Sequence, residues 1–172
     1  MYNVILLHSA PRHLHSALRN PASAIAMISF KTHVRVRYAD TDQMKMVYYA
    51  KFFEYFEQGR SDLLREIGLP YPEIERMGYY LPVIEAKARY MKPARYDDLL
   101  IVRTMLREIP EARVRIEYTL KNGETGELLV EGYTVHSFVN ISTGRPSRAP
   151  GRFLESIRGA FGSQKAPAAR SK

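Results

Sequence analysis

Two aspartates stand just ahead of an aromatic-rich segment, in the stretch RYADTDQMKMVYYAKFFEYFEQGR over 37–60. A carboxylate can attack a carbonyl carbon as a nucleophile, or take a proton as a general base. Asp40 and Asp42 can equally serve as turn residues, because aspartate favours turns and the approaches to helix N-termini. Asp42 lies too far ahead of Tyr49, the first aromatic of the helical pattern, to be an N-cap. Both interpretations stay open at this point.

Other patterns of catalytic residues are missing from the sequence. The chain has no cysteine, which excludes disulfides, thiolate metal sites and cysteine nucleophiles. It also has no G-x-S-x-G, P-loop, H-E-x-x-H or G-x-G-x-x-G motif. The histidines are scattered, and His136 falls in an alternating strand pattern, where we predict a hydrogen-bonded sheet residue. We therefore expect no metal site and no cofactor.

The segments that would position the aspartates show two different spacings of apolar residues. Over 32–39, valines and Tyr38 alternate with arginines, which is typical of a half-buried strand. From Tyr49 onward the apolar residues recur at three- and four-residue spacing, which predicts a long helix that Gly68 ends in the left-handed conformation. Gly59 borders the apolar stripe of this helix, where a missing side chain permits close approach to a sheet. The pattern therefore places a helix directly after the aspartates.

The remaining elements are mainly strands. A clean alternation of apolar and charged residues over 112–121 is followed by an Asn-Gly turn, which is typical of a hairpin. One long helix with antiparallel strands predicts an α+β fold. The predicted elements are a short helix over 71–78, strands over 80–91, 98–109, 112–121 and 128–141, and a C-terminal helix over 151–161.

The two ends of the chain differ from its body. The net charge of +8 comes from the ends, whereas 30–143 has equal numbers of acidic and basic residues. This distribution argues against nucleic acid as a partner. Residues 1–29 lack periodic patterning and are expected to be disordered, or to reflect a misassigned start with Met27 as the true one. Residues 162–172 have the composition of a disordered basic tail.

The sequence also bears on where in the cell the protein is located. No apolar run approaches the ~18 residues that a membrane-spanning helix needs, so we expect no membrane span. Nothing in the chain demands an oxidising compartment, and we expect a cytoplasmic protein.

Three motifs of this sequence resemble a known family. They are YADTDQMKMVYYAKFFEYFEQGRSDLL over 38–64, YMKPARYDDLL over 90–100 and VNISTGRP over 139–146. They resemble the hotdog-fold acyl-CoA thioesterases, in the branch of 4-hydroxybenzoyl-CoA thioesterase and its relatives encoded with Tol–Pal genes. The resemblance covers about 30–158. It implies a hotdog domain over 30–161, in which a five-stranded antiparallel sheet wraps around one long central helix.

The resemblance also implies roles for single residues. In that family the second aspartate of D-x-D is catalytic, which corresponds to Asp42. The backbone N–H at the family's helix start, here that of Tyr49, polarises the thioester carbonyl, and a helix N-terminus does stabilise a developing oxyanion. Substrate contacts are expected from the apolar or aromatic residues of the turn and from two arginines that could meet CoA phosphates: Val47, Tyr48, Arg113 and Arg115.

The activity that the resemblance implies is hydrolysis of acyl-CoA to a free acid and CoA. Asp42 would act either as the nucleophile or as the base that activates water. The alternatives are a non-catalytic module that binds acyl-CoA or acyl carrier protein, and a hotdog dehydratase or hydratase, which needs a histidine near the helix start. A second hotdog branch uses a helix carboxylate, but Glu54 and Glu57 are expected to face solvent or to lie at the rim of the apolar stripe here, so Asp42 is preferred.

The resemblance also implies an oligomeric state, and this sequence departs from the family at one position of the turn. Members of the family pair edge to edge, which implies a homodimer or homotetramer with sites at the interface. A lone sheet has edges to cover, which gives this pairing a physical reason. The departure is Lys45, which stands where the family commonly has glycine. We expect its side chain to narrow the acyl pocket or to shift the turn.

Overall fold

The computed structural model describes residues 27–163. The predicted N-terminal extension over 1–29 and the predicted tail over 162–172 lie almost entirely outside this range. The helices are α1 Lys51–Glu66, α2 Tyr71–Arg76 and α3 Gly151–Ser163, with a 3-10 turn at Tyr38–Asp40. The strands are β1 Ile28–Arg35, β2 Tyr79–Tyr80, β3 Val83–Tyr90, β4 Leu99–Leu106, β5 Arg113–Asn122, β6 Leu128–Asn140 and β7 Pro146–Ser147.

The strands of the described residues form antiparallel pairs in the order β1–β4–β5–β6, with β3, β2 and β7 also paired to β6. The prediction of five strands is therefore wrong, since the sheet has 7. The two additional strands arise because β6 runs for 13 residues and extends past Val83, where β3 begins opposite His136. The backbone groups beyond that point need hydrogen-bond partners, which β2 and β7 supply. Pro82 separates β2 from β3, because proline cannot donate to a ladder.

The first strand ends earlier than predicted. Its ladder stops at Arg35, and Tyr38, which was expected on the buried face, is 78% exposed. Local bonds replace the ladder here: the Asp40 carboxylate accepts the backbone N–H of Arg37 at 3.1 Å, and the Asp40 N–H donates to the Arg37 carbonyl at 3.0 Å. The chain therefore leaves the sheet just before Asp42.

The long helix α1 packs on one face of the sheet, over β1 and β4. The predicted alternation in β5 is confirmed, since Val114 and Ile116 are buried while Arg113 and Arg115 are exposed. Phe56 of α1 stacks on Tyr118 of that buried face, with ring centroids 4.3 Å apart and an interplanar angle of 11°. Burial of a large apolar side chain contributes about 1.5–3 kcal/mol, so contacts of this kind hold α1 in place.

Two predicted glycine positions around α1 are confirmed. A Cβ on Gly59 would lie 2.5 Å from Thr104 Oγ1 and 2.9 Å from Val102 Cγ1, so α1 could not approach β4 this closely with any side chain there. At the other end, Gly68 has a φ of +76°, and the N–H of Leu69 closes the helix on the Leu64 carbonyl at 2.8 Å. The position of α1, and hence of the segment before it, depends on both glycines.

Candidate active site

The segment between the aspartates and α1 folds into a tight turn. An isolated bridge joins Thr41 to Val47, and the Asp42 N–H donates to the Met46 carbonyl at 2.9 Å. The Lys45 N–H donates back to the Asp42 carbonyl at 2.9 Å. One oxygen of the Asp42 carboxylate, Oδ1, accepts the Met44 N–H at 2.8 Å. Its other oxygen, Oδ2, has no hydrogen-bond partner among the described residues and is available for chemistry.

The turn is tied to the rest of the molecule at its far end. Val47 is only 5% exposed, and its N–H donates to the Ala94 carbonyl at 2.8 Å. The Tyr48 N–H donates to the carbonyl of Asp40 at 2.9 Å. These bonds connect the turn to the loop after β3 and to the 3-10 turn. They hold Asp42 at a defined distance from the start of α1.

Asp40 lies behind this turn, with only 1% of its side chain exposed. Its carboxylate accepts hydrogen bonds from the Nε of Arg37 at 3.1 Å, from the Nη2 of Arg37 at 2.9 Å and from the hydroxyl of Tyr55 at 3.0 Å. Burial by itself raises the pKa of this carboxyl, but these hydrogen bonds outweigh burial and hold the pKa below its usual value. Because its oxygens are engaged by protein groups, Asp40 is a structural residue.

Asp42 instead lies in the wall of a cavity of about 610 Å³. This volume is within the usual range for small-molecule sites, roughly 300–1,000 Å³. The lining is mostly apolar and aromatic, which suits an apolar acyl group. It is formed by the turn, the start of α1 and the end of β3 with the loop that follows: Asp42, Met44, Met46, Val47, Tyr48, Tyr49, Phe52, Tyr90, Met91, Lys92 and Pro93.

Two backbone N–H groups lie free just before the helix. The helix was predicted to begin at Tyr49, but α1 begins at Lys51, with Ala50 as its N-cap. Among the described residues, no hydrogen bond uses the N–H of Tyr49 or that of Ala50. Helix N-termini leave such donors unpaired, and they favour negative charge. Of these two donors, the Tyr49 N–H belongs to a residue that lines the same cavity as Asp42.

Comparison with known proteins connects this arrangement to a family. Residues 36–158 match the family described as the thioesterase-like superfamily. The chain belongs to this superfamily. The Bacillus subtilis protein YneP, provisionally named an acyl-CoA thioesterase, is 31% identical over 116 residues, which are 67% of this chain and 83% of the relative. The Haemophilus influenzae acyl-CoA thioesterase YbgC is 33% identical over 92 residues, which are 53% of this chain and 68% of the relative.

Solved structures agree with the family. The DHNA-CoA thioesterase of Staphylococcus aureus superposes with a TM-score of 0.71 at 27% identity, covering 80% of this chain and 91% of the other. The predicted family is confirmed, and this member of the thioesterase-like superfamily has the hotdog thioesterase fold. The prediction of a thioester hydrolase is confirmed at the level of the family.

The structure brings some of the predicted site residues together and keeps others apart. Asp42, Val47, Tyr48 and Tyr49 line one cavity. Arg113 and Arg115 do not line it, because they lie in β5 on the face opposite to Val114 and Ile116. Arg115 stacks over the ring of Tyr133 at 3.5 Å and pairs with Glu117 at 3.6 Å. Contact of these arginines with CoA stays a prediction.

Among the described residues, the other candidate carboxylates and the histidines do not line the cavity. Glu54 forms an ion pair with Lys51 at 2.8 Å, and Glu57 is exposed, as expected. His136 is 1% exposed. It donates Nδ1–H to the Leu81 carbonyl at 3.1 Å and accepts the Thr134 hydroxyl at 2.9 Å, which confirms a hydrogen-bonded sheet residue. Burial, with a smaller effect of Arg60, lowers the pKa of His136 to about 4.

Sequence reasoning missed the part of the cavity that β3 supplies. Four residues at the end of β3 and in the loop after it line the cavity together with the turn: Tyr90, Met91, Lys92 and Pro93. They fall within the motif YMKPARYDDLL, which carries the family resemblance, but no role was assigned to them. The spacing of that motif from Asp42 shows no period, so only the family pattern could have indicated them.

The backbone conformation of Lys45 explains why a glycine would suit this position. Its φ is 59°, in the left-handed region that glycine adopts freely and other residues adopt with strain. Lys45→Gly is expected to raise the free energy of unfolding by about 0.5–1 kcal/mol, because relief of about 1–2 kcal/mol exceeds the added chain entropy of about 0.4–1 kcal/mol. Urea denaturation measures this change. Lys121→Gly, in an extended strand, is the control and should destabilise. A loss of stability in Lys45→Gly would contradict the strain.

Proposed function

We propose that the chain hydrolyses acyl-CoA thioesters to a free acid and CoA, with Asp42 as nucleophile or general base. The observation that supports this most is that Asp42 and Tyr49 line the same apolar cavity, while the Asp42 Oδ2 and the Tyr49 N–H have no hydrogen-bond partner among the described residues. An acyl group would occupy the cavity, with Val47 and Tyr48 against it. The thioester carbonyl would lie between the carboxylate and the helix start.

The groups present can perform the reaction in two ways. In the first, the Asp42 carboxylate attacks the thioester carbonyl carbon and the C–S bond breaks, which gives a mixed anhydride and a CoA thiolate that takes up a proton. Water then hydrolyses the anhydride. In the second, Asp42 takes a proton from a water that attacks the same carbon. In both, the carbonyl oxygen becomes negative, and the Tyr49 N–H stabilises it.

An assay of CoA release tests this proposal. Purified full-length protein is mixed with acyl-CoA thioesters of increasing chain length and a thiol reagent that reports free CoA. Continuous release at many turnovers per chain supports hydrolysis. Saturable binding without turnover would favour the non-catalytic acyl-CoA or acyl-carrier binding module instead. The dehydratase alternative has less support, because the described residues that line the cavity include no histidine.

We also propose that two chains pair through β3. Among the described residues β3 pairs only with β6, so its other edge is free. It runs for 8 residues and is exposed along nearly its whole length, including Ile84 at 50% and Tyr90 at 44%. A long free edge with exposed apolar residues favours pairing with another strand. Antiparallel pairing with a second copy would cover this edge and would join the two sheets into one continuous sheet. A homotetramer would combine two such dimers.

Ala86→Glu tests the pairing. Ala86 pairs with Thr134 and is exposed in β3, so a charge there would be buried at the proposed interface at a cost of several kcal/mol. We expect wild-type protein to sediment as a dimer or larger, and this variant to dissociate. Lys121→Glu, exposed in β5, is the control and should sediment as wild type. A monomeric wild type at micromolar concentration would refute the proposal.

No helix within 27–163 is long and apolar enough to cross a bilayer. The cytoplasmic location expected from the sequence stays a prediction, as does the absence of nucleic acid from its partners. The CoA assay addresses neither, and cell fractionation would address the first.

A further inference from the structure

The face of the sheet that points away from α1 is rich in basic side chains. Residues directly opposite each other in neighbouring strands share a face, so the strand registers identify the members of this one. A single row across the sheet runs from Lys31 through Arg103, Thr119 and Glu131 to Arg89. The same registers place eight lysines and arginines on this face, which we call the basic face: Lys31, Arg35, Lys87, Arg89, Arg103, Arg113, Arg115 and Lys121.

The basic face has an excess of positive charge. The registers place only three carboxylates on it, those of Glu85, Glu117 and Glu131. Glu131 pairs with Arg89 at 3.4 Å and Glu117 with Arg115 at 3.6 Å. The other cations are mostly unpaired within the described residues, since five of them take part in no ion pair there: Lys31, Lys87, Arg103, Arg113 and Lys121. Because 30–143 is neutral as a whole, the fold has separated charges that the composition averages out.

The size of the basic face suits a partner of protein size. Five strands about 4.8 Å apart span about 19 Å, and Arg113 to Lys121 in β5 extends over about 27 Å. The resulting area of roughly 500 Å² is close to what each side of a small, transient protein interface buries. A cavity of about 400 Å³ within the face also gives an anionic side chain a place to insert.

Other occupants fit this face less well. A second copy of the chain stacked on it would bring like charges together, which costs several kcal/mol. The proposed pairing through β3 uses the strand edge and leaves the face open. For nucleic acid, Glu117 and Glu131 would lie against phosphates near the middle of the face, whereas a protein can offer both signs of charge.

We propose that the basic face docks an acidic protein that carries the acyl group as a thioester, an acyl carrier protein. This inference rests on the proposed hydrolysis and adds a second form of its substrate. The basic face and the cavity meet at the end of β3, because Arg89 lies on the face while Tyr90 lines the cavity with Asp42. A carrier docked beside β3 can therefore present its acyl group to Asp42, and opposite charges speed the encounter.

Charge reversal at Lys31 and Arg103 tests the inference, because these residues lie side by side on the basic face and do not line the cavity. We expect Lys31→Glu/Arg103→Glu to bind a purified acidic acyl carrier protein, loaded with one acyl group, about ten-fold more weakly than wild type at low salt. Calorimetry measures the affinity, and added salt should weaken wild-type binding.

The matched control is Arg65→Glu/Arg158→Glu. It changes the net charge by the same amount at exposed positions of α1 and α3, so its affinity should stay within about two-fold of wild type. Melting temperatures show whether both variants are folded. If the first double variant is unfolded, Lys31→Glu alone, at an exposed position, takes its place.

Kinetics separates this inference from the proposed function. Both double variants should keep wild-type kcat for acyl-CoA, and only the variant of the basic face should show a KM for the acyl carrier protein raised about ten-fold. A wild type that does not bind the carrier, equal binding by the two double variants, or a DNA duplex that displaces the carrier would overturn the inference. If neither thioester is hydrolysed, the proposed function fails, and the binding comparison still decides what the basic face docks.

Discussion

Asp42→Asn is expected to lower kcat for acyl-CoA hydrolysis by about 10²–10⁴. The amide has no negative charge, so it can neither attack the thioester carbonyl nor take a proton from water. Its oxygen can still accept the Met44 N–H that Asp42 Oδ1 accepts at 2.8 Å, so the turn and the melting temperature should be kept. The measurement is steady-state CoA release, compared at equal folded fraction.

The control for this prediction is Asp97→Asn. Asp97 has 70% of its side chain exposed and lies outside the cavity, so the same chemical change there should leave kcat within about two-fold. The assignment of Asp42 would be refuted if Asp42→Asn retained more than about a tenth of wild-type turnover. In that case the aspartate would be only a turn residue.

Asp40→Ala is expected to lower the free energy of unfolding by about 3 kcal/mol. The substitution leaves the buried hydroxyl of Tyr55 without its acceptor at 3.0 Å, and frees Arg37 from its bidentate bond. It also removes the acceptor that caps the 3-10 turn. Chemical denaturation measures the change. Asp42→Asn, which disturbs no buried bond, is the matched variant that should unfold at wild-type denaturant concentration.

The pH dependence of stability gives a second readout for Asp40. Its pKa is lower in the folded protein than the ordinary value of 3.8, so the unfolded chain binds its proton more readily. The stability that Asp40 contributes is therefore complete above about pH 3.8 and is lost as the pH falls toward the folded pKa. Wild type should lose this contribution in that range, whereas Asp40→Ala has none to lose. A variant within about 1 kcal/mol of wild type at neutral pH would show that the buried carboxylate does not stabilise the turn.

The elements defined by local pattern were predictable from the sequence. Alternation in β5 and helical spacing in α1 record which face of each segment is buried, and this information is local. Gly59 and Gly68 were predicted for the same reason, since a close approach and a left-handed helix end each need a glycine. The family followed from motifs within single segments, and it led to Asp42 as the candidate for catalysis.

Tertiary structure decided which groups meet and which are free. Asp40 and Asp42 are the same residue type two positions apart, yet one is buried against Arg37 and Tyr55 and the other lines a cavity. The difference between them depends on a turn that is held in place by a hydrogen bond to the carbonyl of Ala94, which lies far along the chain. Likewise, Tyr90 reaches the helix start only because β3 ends there. Contacts between distant segments carry no period in the sequence, so local patterns could not predict them.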